Sequence, residues 1–397
     1  MILSMGIFFG HKKKSELILV FNIGSSFVGG ALFEAQSSGI PKIIFSIQER
    51  IKMEENVDIN RFLSLTINSL EIVVNKIYKA GLGVPSQIFC VLSSPWYVFQ
   101  TRVISLKKNT PFVFTLKLAD ELVKKEIKLF EDDHLSKYSD SDNKVRVIEI
   151  KNIRTTLNGY ETSESLDQKT KELEMIIFVS LGEEQVLKKI EDTIGKYFSF
   201  KQIKFSSFIL SFFTTVRDMY LKQENFLLVD IGGEVTDISM VKKNTLRESM
   251  SFPSGRNFLT RGVASDLNCT LSEADSFISL FKDGHAEASV DKKITLILNK
   301  LRKEWLKNFQ ESLANLSNDI SIPSTIFIAV DKDLVDFFSE TIETEQFSQY
   351  TLTEKKFEVI FLNIELLQKI VVFKGSINCE PSLIIDTLYI NRFLIKI

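Results

Sequence analysis

The stretch Val229-Asp-Ile-Gly-Gly-Glu-Val-Thr-Asp237 decides the fold of this chain. It closes an apolar strand that begins at Phe226, and β character resumes at Ile238. The pattern predicts two strands joined by a tight, glycine-rich turn, whose exposed backbone N–H groups can hold phosphate oxygens. A carboxylate at the end of the first strand, here Asp230, can hold Mg²⁺ through water, because Mg²⁺ keeps most of its hydration shell. The stretch therefore predicts a phosphate-binding hairpin.

The same pattern occurs near the N-terminus. An apolar strand, Leu17–Phe21, meets the turn Asn22-Ile-Gly-Ser-Ser26, and a second strand follows from Val28 to Phe33. One such turn is weak evidence, because Asp-Gly and Asn-Gly turns are common in hairpins. Two copies separated by an α/β segment are stronger evidence, and they predict two hairpins that clamp the phosphates of a nucleotide.

The composition excludes several classes of protein. The 397 residues carry a net charge of -2, which disfavours a general nucleic-acid binder, since such proteins neutralise phosphates with Lys and Arg. The three cysteines and three histidines are scattered, so the sequence predicts neither a zinc site nor a disulfide framework. No apolar stretch is long enough to span a bilayer, and the first residues lack the order of a signal peptide. We expect a cytoplasmic protein without a transmembrane segment.

The two hairpins resemble the phosphate motifs of the actin-like ATPase superfamily. The resemblance narrows to the branch of PilM and FtsA through the opening Met5-Gly-Ile-Phe-Phe-Gly-His-Lys-Lys-Lys14 and through Phe252-Pro-Ser-Gly-Arg-Asn-Phe-Leu-Thr260, which leads into Leu271–Asp275. It implies an α/β, bilobed actin-like fold made of duplicated ribonuclease H-like halves, with a small α/β insert. It also implies ATP or ADP with Mg²⁺ between the lobes and a scaffolding role at the inner membrane.

The resemblance also assigns domains and site residues. The domains are residues 1–92 (first part of lobe I), 93–177 (the insert), 178–225 (rest of lobe I), 226–354 (lobe II) and 355–397 (C-terminal strands that return to the core). Asp230 is the catalytic residue and holds Mg²⁺ through water. The remaining nucleotide-binding residues are Asn22, Gly24, Ser25, Ser26, Gly232, Gly233, Thr236, Asp237 and Gly255. The base-binding region includes Glu273 and Val330.

Four departures from the family pattern predict weak or lost ATP hydrolysis. Asn22 stands where the family has Asp, and removing a unit charge roughly 5 Å from Mg²⁺ costs at most about 3 kcal/mol per charge on the ion at an effective dielectric near 20. Asn22→Asp is accordingly expected to raise hydrolysis. Glu234 replaces a glycine and would repel a γ-phosphate if it pointed inward. Val330-Asp331 replaces a Gly-Gly pair, and the helix Ser206–Val216 offers only Ser and Thr to orient a water.

These features favour a scaffold over an enzyme. The leading hypothesis is a nucleotide-binding scaffold docked on an inner-membrane machine, as in type IV pilus assembly. The alternative is an FtsA-like cell-division protein that polymerises and links the division ring to the membrane. A sugar-kinase-type enzyme is disfavoured, because strand-end carboxylates other than Asp230 and Asp237 are not found.

The expected partner is a cytoplasmic segment of a bitopic inner-membrane protein, and self-association into dimers or filaments is also expected. We expect the insert, or its border with the lobes, to bind this segment. Trp96 and Tyr97 are predicted to be exposed anchors, since amphipathic aromatics are favoured at interfaces. The tail from Leu383 to Ile397 is predicted to be a strand, because its polar residues do not share one helical face. The protein is thus expected to be peripheral at the membrane.

Overall fold

The computed structural model describes residues 16–36, 39–137, 144–162, 164–282, 288–316, 322–344 and 356–395. The segment 5–14, which carries part of the family resemblance, lies outside these residues. Within the described residues, no helix is both long enough and apolar enough to cross a membrane.

The described chain alternates strands and helices. The strands are β1 (Glu16–Ile23), β2 (Phe27–Ala35), β3 (Lys42–Arg50), β4 (Gln87–Leu92), β5 (Val98–Val113), β6 (Val145–Leu157), β7 (Tyr160–Glu161), β8 (Lys169–Glu183), β9 (Ile203–Ser207), β10 (Phe226–Ile231), β11 (Thr236–Lys242), β12 (Thr245–Phe252), β13 (Thr325–Val330), β14 (Glu358–Phe361) and β15 (Val372–Phe373). The helices are α1 (Ile59–Ala80), α2 (Leu116–Lys137), α3 (Glu184–Gly195), α4 (Phe208–Met219), α5 (Arg256–Leu267), α6 (Leu271–Lys282), α7 (Ala288–Asn315), α8 (Val335–Glu343), α9 (Ile364–Leu367) and α10 (Pro381–Ile395), and a single 3₁₀ turn spans Lys332–Leu334.

Two large sheets repeat one strand order. The first runs β15-β3-β2-β1-β4-β9, and the second runs β12-β11-β10-β13-β14. In each sheet three antiparallel strands are followed by two parallel ones. The first sheet has one further edge strand, β15, which pairs parallel to β3. Strand β1 therefore corresponds to β10, and β4 corresponds to β13. This repetition makes two lobes. One apolar core lies within lobe II, and the larger core of lobe I also includes residues of the lobe II sheet, such as Phe226, Leu228 and Phe327.

Local sequence signals set the first helix. The Asp58 carboxylate accepts a hydrogen bond from the N–H of Arg61 at 2.7 Å, which caps the N-terminus of α1. Gly81 ends the helix in the left-handed conformation that glycine adopts without strain. In the sequence, Asp58 as an N-cap and Gly81 as a stop predict a helix from Ile59 to Ala80, and the bounds of α1 confirm it.

The insert is a four-stranded sheet, β5-β8-β6-β7, with α2 packed on one face. Strand β8 continues past residue 177, the predicted end of the insert, to Glu183. Trp96 and Tyr97 are 5% and 6% exposed and belong to the core of lobe I, so the prediction that they are exposed anchors is wrong. The indole N–H of Trp96 donates to the carbonyl of Gly24 at 2.9 Å, and its ring stacks on Phe62. Trp96, stacked on Phe62, thus stabilises the first hairpin.

The predicted C-terminal strand is also wrong, because Pro381–Ile395 is the helix α10. This helix packs against α4, β1 and β2. Its polar residues Asp386, Thr387 and Asn391 are buried together with its apolar ones. A helix that is apolar all round lies in a core. The absence of a polar face is therefore typical of a buried helix and is not evidence for a strand.

Candidate functional site

The two hairpins end the central strands of the two lobes in equivalent positions. Asn22 pairs with Gly29 across the first hairpin, and Asp230 pairs with Asp237 across the second. Each turn is closed by one backbone hydrogen bond, from Gly24 N–H to Phe27 in the first at 3.1 Å and from Gly232 N–H to Val235 in the second at 2.9 Å. The structure thus brings together the two motifs that the sequence singled out.

The second turn already binds an oxygen, and that oxygen belongs to Ser25. The Ser25 hydroxyl accepts hydrogen bonds from the N–H groups of Gly233 at 2.8 Å and of Glu234 at 3.2 Å. These are the backbone donors that the sequence assigns to phosphate. A neighbouring hydroxyl satisfies them in this conformation.

The backbones of the two turns are in direct contact. A Cβ added to Gly233 would lie 2.3 Å from the carbonyl oxygen of Ser25, and one added to Gly255 would lie 2.4 Å from that of Gly232. Glycine is required at both positions for this close approach. The cavity beside the turns has a volume of about 50 Å³ and includes Ser26 and Asp230 in its lining. Ligand pockets usually measure about 300 Å³ or more, so the space between the hairpins is too small for a phosphate chain.

The Asn22 side chain contacts a residue of α10 that was not predicted from the sequence. Its side-chain amide donates to Oδ2 of Asp386 in α10 at 2.6 Å, and both side chains are buried. Burial raises the pKa of Asp386 to about 8, although the Asn22 amide acts in the opposite direction. An aspartate at position 22 would place a second carboxyl against Asp386. The pair therefore explains the departure from the family pattern, and no motif in the sequence links these two positions.

The retained carboxylates of the second hairpin lie in an acidic environment. Burial raises the pKa of Asp230 well above its usual range, and the charges of Asp237, Asp386 and Asp331 raise it further. Burial also raises the pKa of Asp237, against a hydrogen bond from Ser251. Within the described ranges, no group of three or more His, Cys, Asp or Glu side chains is arranged to hold a metal ion. The water-mediated Mg²⁺ role of Asp230 stays a prediction.

Two other predicted ligands are engaged elsewhere. The hydroxyl of Thr236 is fully buried, donates to the carbonyl of Ser254 at 2.8 Å and accepts from the Trp305 indole at 3.3 Å. The Glu273 carboxylate accepts from the N–H and the hydroxyl of Thr270, both at 2.8 Å, and so forms a capping box at the start of α6. The geometry gives no support to a phosphate role for Thr236 or a base-binding role for Glu273.

Glu234 does not carry a free carboxylate of the kind that would repel a γ-phosphate. Its carboxylate forms two hydrogen bonds with the guanidinium of Arg261, at 2.7 and 2.8 Å, and accepts a third from Asn257. Arg261 also donates to the backbone carbonyl of Glu54, in the loop after β3. Glu54 is in lobe I and Arg261 in lobe II, so this residue ties the lobes together next to the second turn.

An outer cleft of about 840 Å³ adjoins the hairpins. Arg256 lies in it with a side chain that is 7% exposed, and it forms ion pairs with Asp331, Asp333 and Asp275. Asp331 follows Val330, which lines the smaller cavity, at the position where the sequence predicts crowding of the base. The outer cleft is large enough for a nucleoside, but the closed hairpins leave no room for its phosphates. In this conformation the residues do not fit ATP or ADP.

A separate groove of about 270 Å³ lies between the insert and lobe I. Its walls are six consecutive residues of β6, Arg146 to Lys151, and the segment Gln202–Ser206, most of which is β9. Strand β9 is the last strand of its sheet, and β7 pairs with β6 only at Thr156 and Leu157. Along the groove, among the described residues, β6 pairs with β8 and β9 pairs with β4, and β6 and β9 adjoin each other.

A β-bulge shapes the wall that β6 contributes. The register of β6 against β8 shifts between Val147 and Glu149, which leaves Ile148 as the extra residue. Bulges commonly redirect side chains next to functional sites. As a result two consecutive residues face lobe I: Ile148 packs against its core, and Glu149 accepts from the N–H and the hydroxyl of Ser207 at 3.0 and 2.9 Å. The bulge thus fixes the insert to the end of β9.

Comparison with solved structures finds a similar fold. The chain is similar to a structure described as the PilM-PilN type IV pilus biogenesis complex, with a TM-score of 0.62, 12% identity, and coverage of 94% of this chain and 98% of that chain. The chain has the actin-like ATPase fold. The resemblance to PilM is confirmed at the level of the fold, as is the bilobed α/β architecture.

The matching structures also include two with lower scores. The first is the ethanolamine utilization protein EutJ from Carboxydothermus hydrogenoformans, with a TM-score of 0.41, 10% identity, and coverage of 94% of this chain and 89% of that chain. The second is a Bacteroides thetaiotaomicron protein with an actin-like ATPase fold, with a TM-score of 0.40, 8% identity, and coverage of 90% of this chain and 96% of that chain. Scores this low support no further conclusion. No protein-family model matches the sequence, and no curated protein matches it.

Proposed function

We propose that this protein is an actin-like scaffold that binds an extended cytoplasmic segment of a bitopic inner-membrane protein, as part of a machine of the type IV pilus kind. The observation that carries the proposal is the groove between β6 and β9. The similar PilM structure was solved as a complex with PilN, which agrees with a partner-binding role on this fold.

The groove suits a strand. A strand without a neighbour presents N–H and C=O groups that an extended peptide can pair with, and its alternate side chains then enter pockets. Phe89, Ile148 and Phe205 line the groove from the core of lobe I, and the side chains of Lys204 and Arg146 lie over the rings of Phe89 and Phe205. We infer an occupant in extended conformation. Self-association is the competing outcome, because the same edges could pair with a second copy of the chain.

The closed hairpins favour a scaffold with weak or lost ATP hydrolysis. Nucleotide phosphates would have to replace the Ser25 hydroxyl as the acceptor for the N–H groups of Gly233 and Glu234. The hydrogen bond from Arg261 to the Glu54 carbonyl, which joins the lobes, would also have to break. Both steps oppose binding. We propose weak binding of ATP or ADP with Mg²⁺ at most. On this proposal the protein is peripheral at the inner membrane and is held there by its partner.

Site-specific photocrosslinking tests the proposal. A photoreactive amino acid replaces Lys151 or Lys204 in the groove, and a control replaces the exposed Lys292 on α7. We expect the two groove positions to crosslink to a short cytoplasmic segment of a membrane protein, identified by mass spectrometry of the joined peptides, and the control not to.

Each alternative result has a meaning. Crosslinks from both groove positions to another copy of this chain would favour the FtsA-like, polymerising alternative. If the groove positions capture no more membrane-protein peptide than Lys292 does, the docking proposal fails.

A further inference from the structure

Helix α10 joins the groove to the first hairpin through two buried polar contacts. Asp386 accepts a hydrogen bond from the Asn22 amide at the end of β1 at 2.6 Å. Three residues further along α10, the Tyr389 hydroxyl donates to Oε1 of Glu149 in β6 at 2.5 Å. Residues three apart lie on the same face of a helix, so one face of α10 makes both contacts.

Glu149 is part of the groove and also of this connection. Its second carboxylate oxygen accepts from the N–H and the hydroxyl of Ser207, the residue that precedes α4 at the end of β9. The carboxyl of Glu149 thus links its own strand, β6, to β9 and to α10. Because a buried carboxyl that loses a partner leaves a polar atom unsatisfied, these three elements resist separate movement.

Helix α10 is packed closely along most of its length. The run from Leu383 to Thr387 is at most 1% exposed, and Ile390 and Asn391 are also buried. The side chain of Asn391 anchors the next turn by donating to the carbonyl of Gly39 at 2.8 Å. Close-packed interiors transmit a displacement instead of absorbing it. A shift at Tyr389 is therefore passed along the helix to Asp386.

We propose that α10 couples the groove to the first phosphate hairpin, with Tyr389 as the positioning residue that connects them. The inference rests on the proposed function only for what occupies the groove. A segment that displaces β6 or β9 moves Glu149, and through Tyr389 and Asp386 it moves Asn22. By linkage, a change at the hairpin alters the groove to the same degree.

Amide hydrogen exchange on the full chain without a partner tests the coupling. Asn22→Ala removes the contact to α10 at the hairpin. We expect exchange to accelerate about fivefold in residues 145–151 and 203–207, the equivalent of one lost hydrogen bond, with residues 226–231 of lobe II as an unchanged reference. In a Tyr389→Phe background, Asn22→Ala should no longer affect the two groove strands.

Controls separate coupling from general loosening. Tyr160→Phe makes the same chemical change at a residue that is 80% exposed, and it should leave the response to Asn22→Ala intact. Asn22→Ser serves as the hairpin variant if Asn22→Ala does not fold. The proposal is overturned if groove exchange does not respond to either hairpin variant, or if it responds equally with Phe at position 389. Neither result affects the crosslinking test, which examines docking alone.

Discussion

The two hairpins occupy equivalent positions in duplicated sheets but are supported differently. At the second hairpin, Asp230 keeps the strand-end carboxylate of the family. At the first hairpin that position is Asn22, and the carboxyl lies behind it on α10, at Asp386. The acidic group beside position 22 therefore comes from the C-terminal helix. The first motif thus lacks the strand-end carboxylate, and a carboxyl from a distant segment of the chain lies beside the same position.

The strongest test of this comparison is to restore the family residue. Asn22→Asp would place two buried carboxyls about 2.6 Å apart, by the present distance from the Asn22 amide to Asp386. Because Asp386 keeps its proton at neutral pH, the new carboxyl would add a buried negative charge that no cation compensates. We therefore expect a loss of about 3–5 kcal/mol in the free energy of unfolding, measured by urea denaturation at pH 7. This replaces the sequence-based expectation that Asn22→Asp raises hydrolysis.

A charge swap is the matched control for that change. Asn22→Asp combined with Asp386→Asn restores one amide and one carboxyl to the pair with the partners exchanged. The double variant should recover most of the lost stability, and the coupling energy between the two positions should exceed about 2 kcal/mol. Additive effects would show that Asn22 and Asp386 do not act as a pair.

The second prediction uses the raised pKa of Asp386. Between about pH 4 and 8 the folded chain keeps a proton that the unfolded chain releases, because the pKa is about 8 in the folded state against an ordinary 3.8. Stability should therefore fall as pH rises through this window. Between pH 6 and 7.5 the contribution is about 2 kcal/mol, and Asp386→Asn should remove it. Asp120→Asn, at an exposed aspartate of α2, should leave the pH profile of unfolding unchanged.

The sequence predicted much of the fold and part of the site, for identifiable reasons. The hairpin turns and the helix Ile59–Ala80 are local features, and short-range spacing records them. The partners of Asn22 and Glu149 lie 364 and 240 residues away in the chain, and one sequence without an alignment carries no signal for such pairs. Helix α10 was missed because burial on all sides removes the amphipathic pattern on which the prediction relied.

The third prediction concerns the contact between the turns. Gly233→Ala would put a methyl group 2.3 Å from the carbonyl oxygen of Ser25, so the hairpins must separate. We expect a loss of about 1–3 kcal/mol in the free energy of unfolding, as for overpacked cores. Gly195→Ala is the matched control, because its nearest neighbour would be the ring of Phe200 at 3.8 Å. If both variants unfold at the same urea concentration, the hairpins are not in contact in solution.

The smallest expected effect gives the sharpest distinction, because its sign separates two roles for Ser25. If the hydroxyl blocks the N–H groups of Gly233 and Glu234, Ser25→Ala frees them, and Mg-ADP should bind up to about fivefold more tightly, since one competing hydrogen bond of about 1 kcal/mol is removed. If the hydroxyl is itself a phosphate ligand, the same change should weaken binding. Calorimetry on the full chain measures the difference, with Asp230→Ala as the variant that should abolish any Mg²⁺-dependent signal. Weaker binding by Ser25→Ala would mean that the hairpins open before a nucleotide enters, and that the closed contact describes only the resting chain.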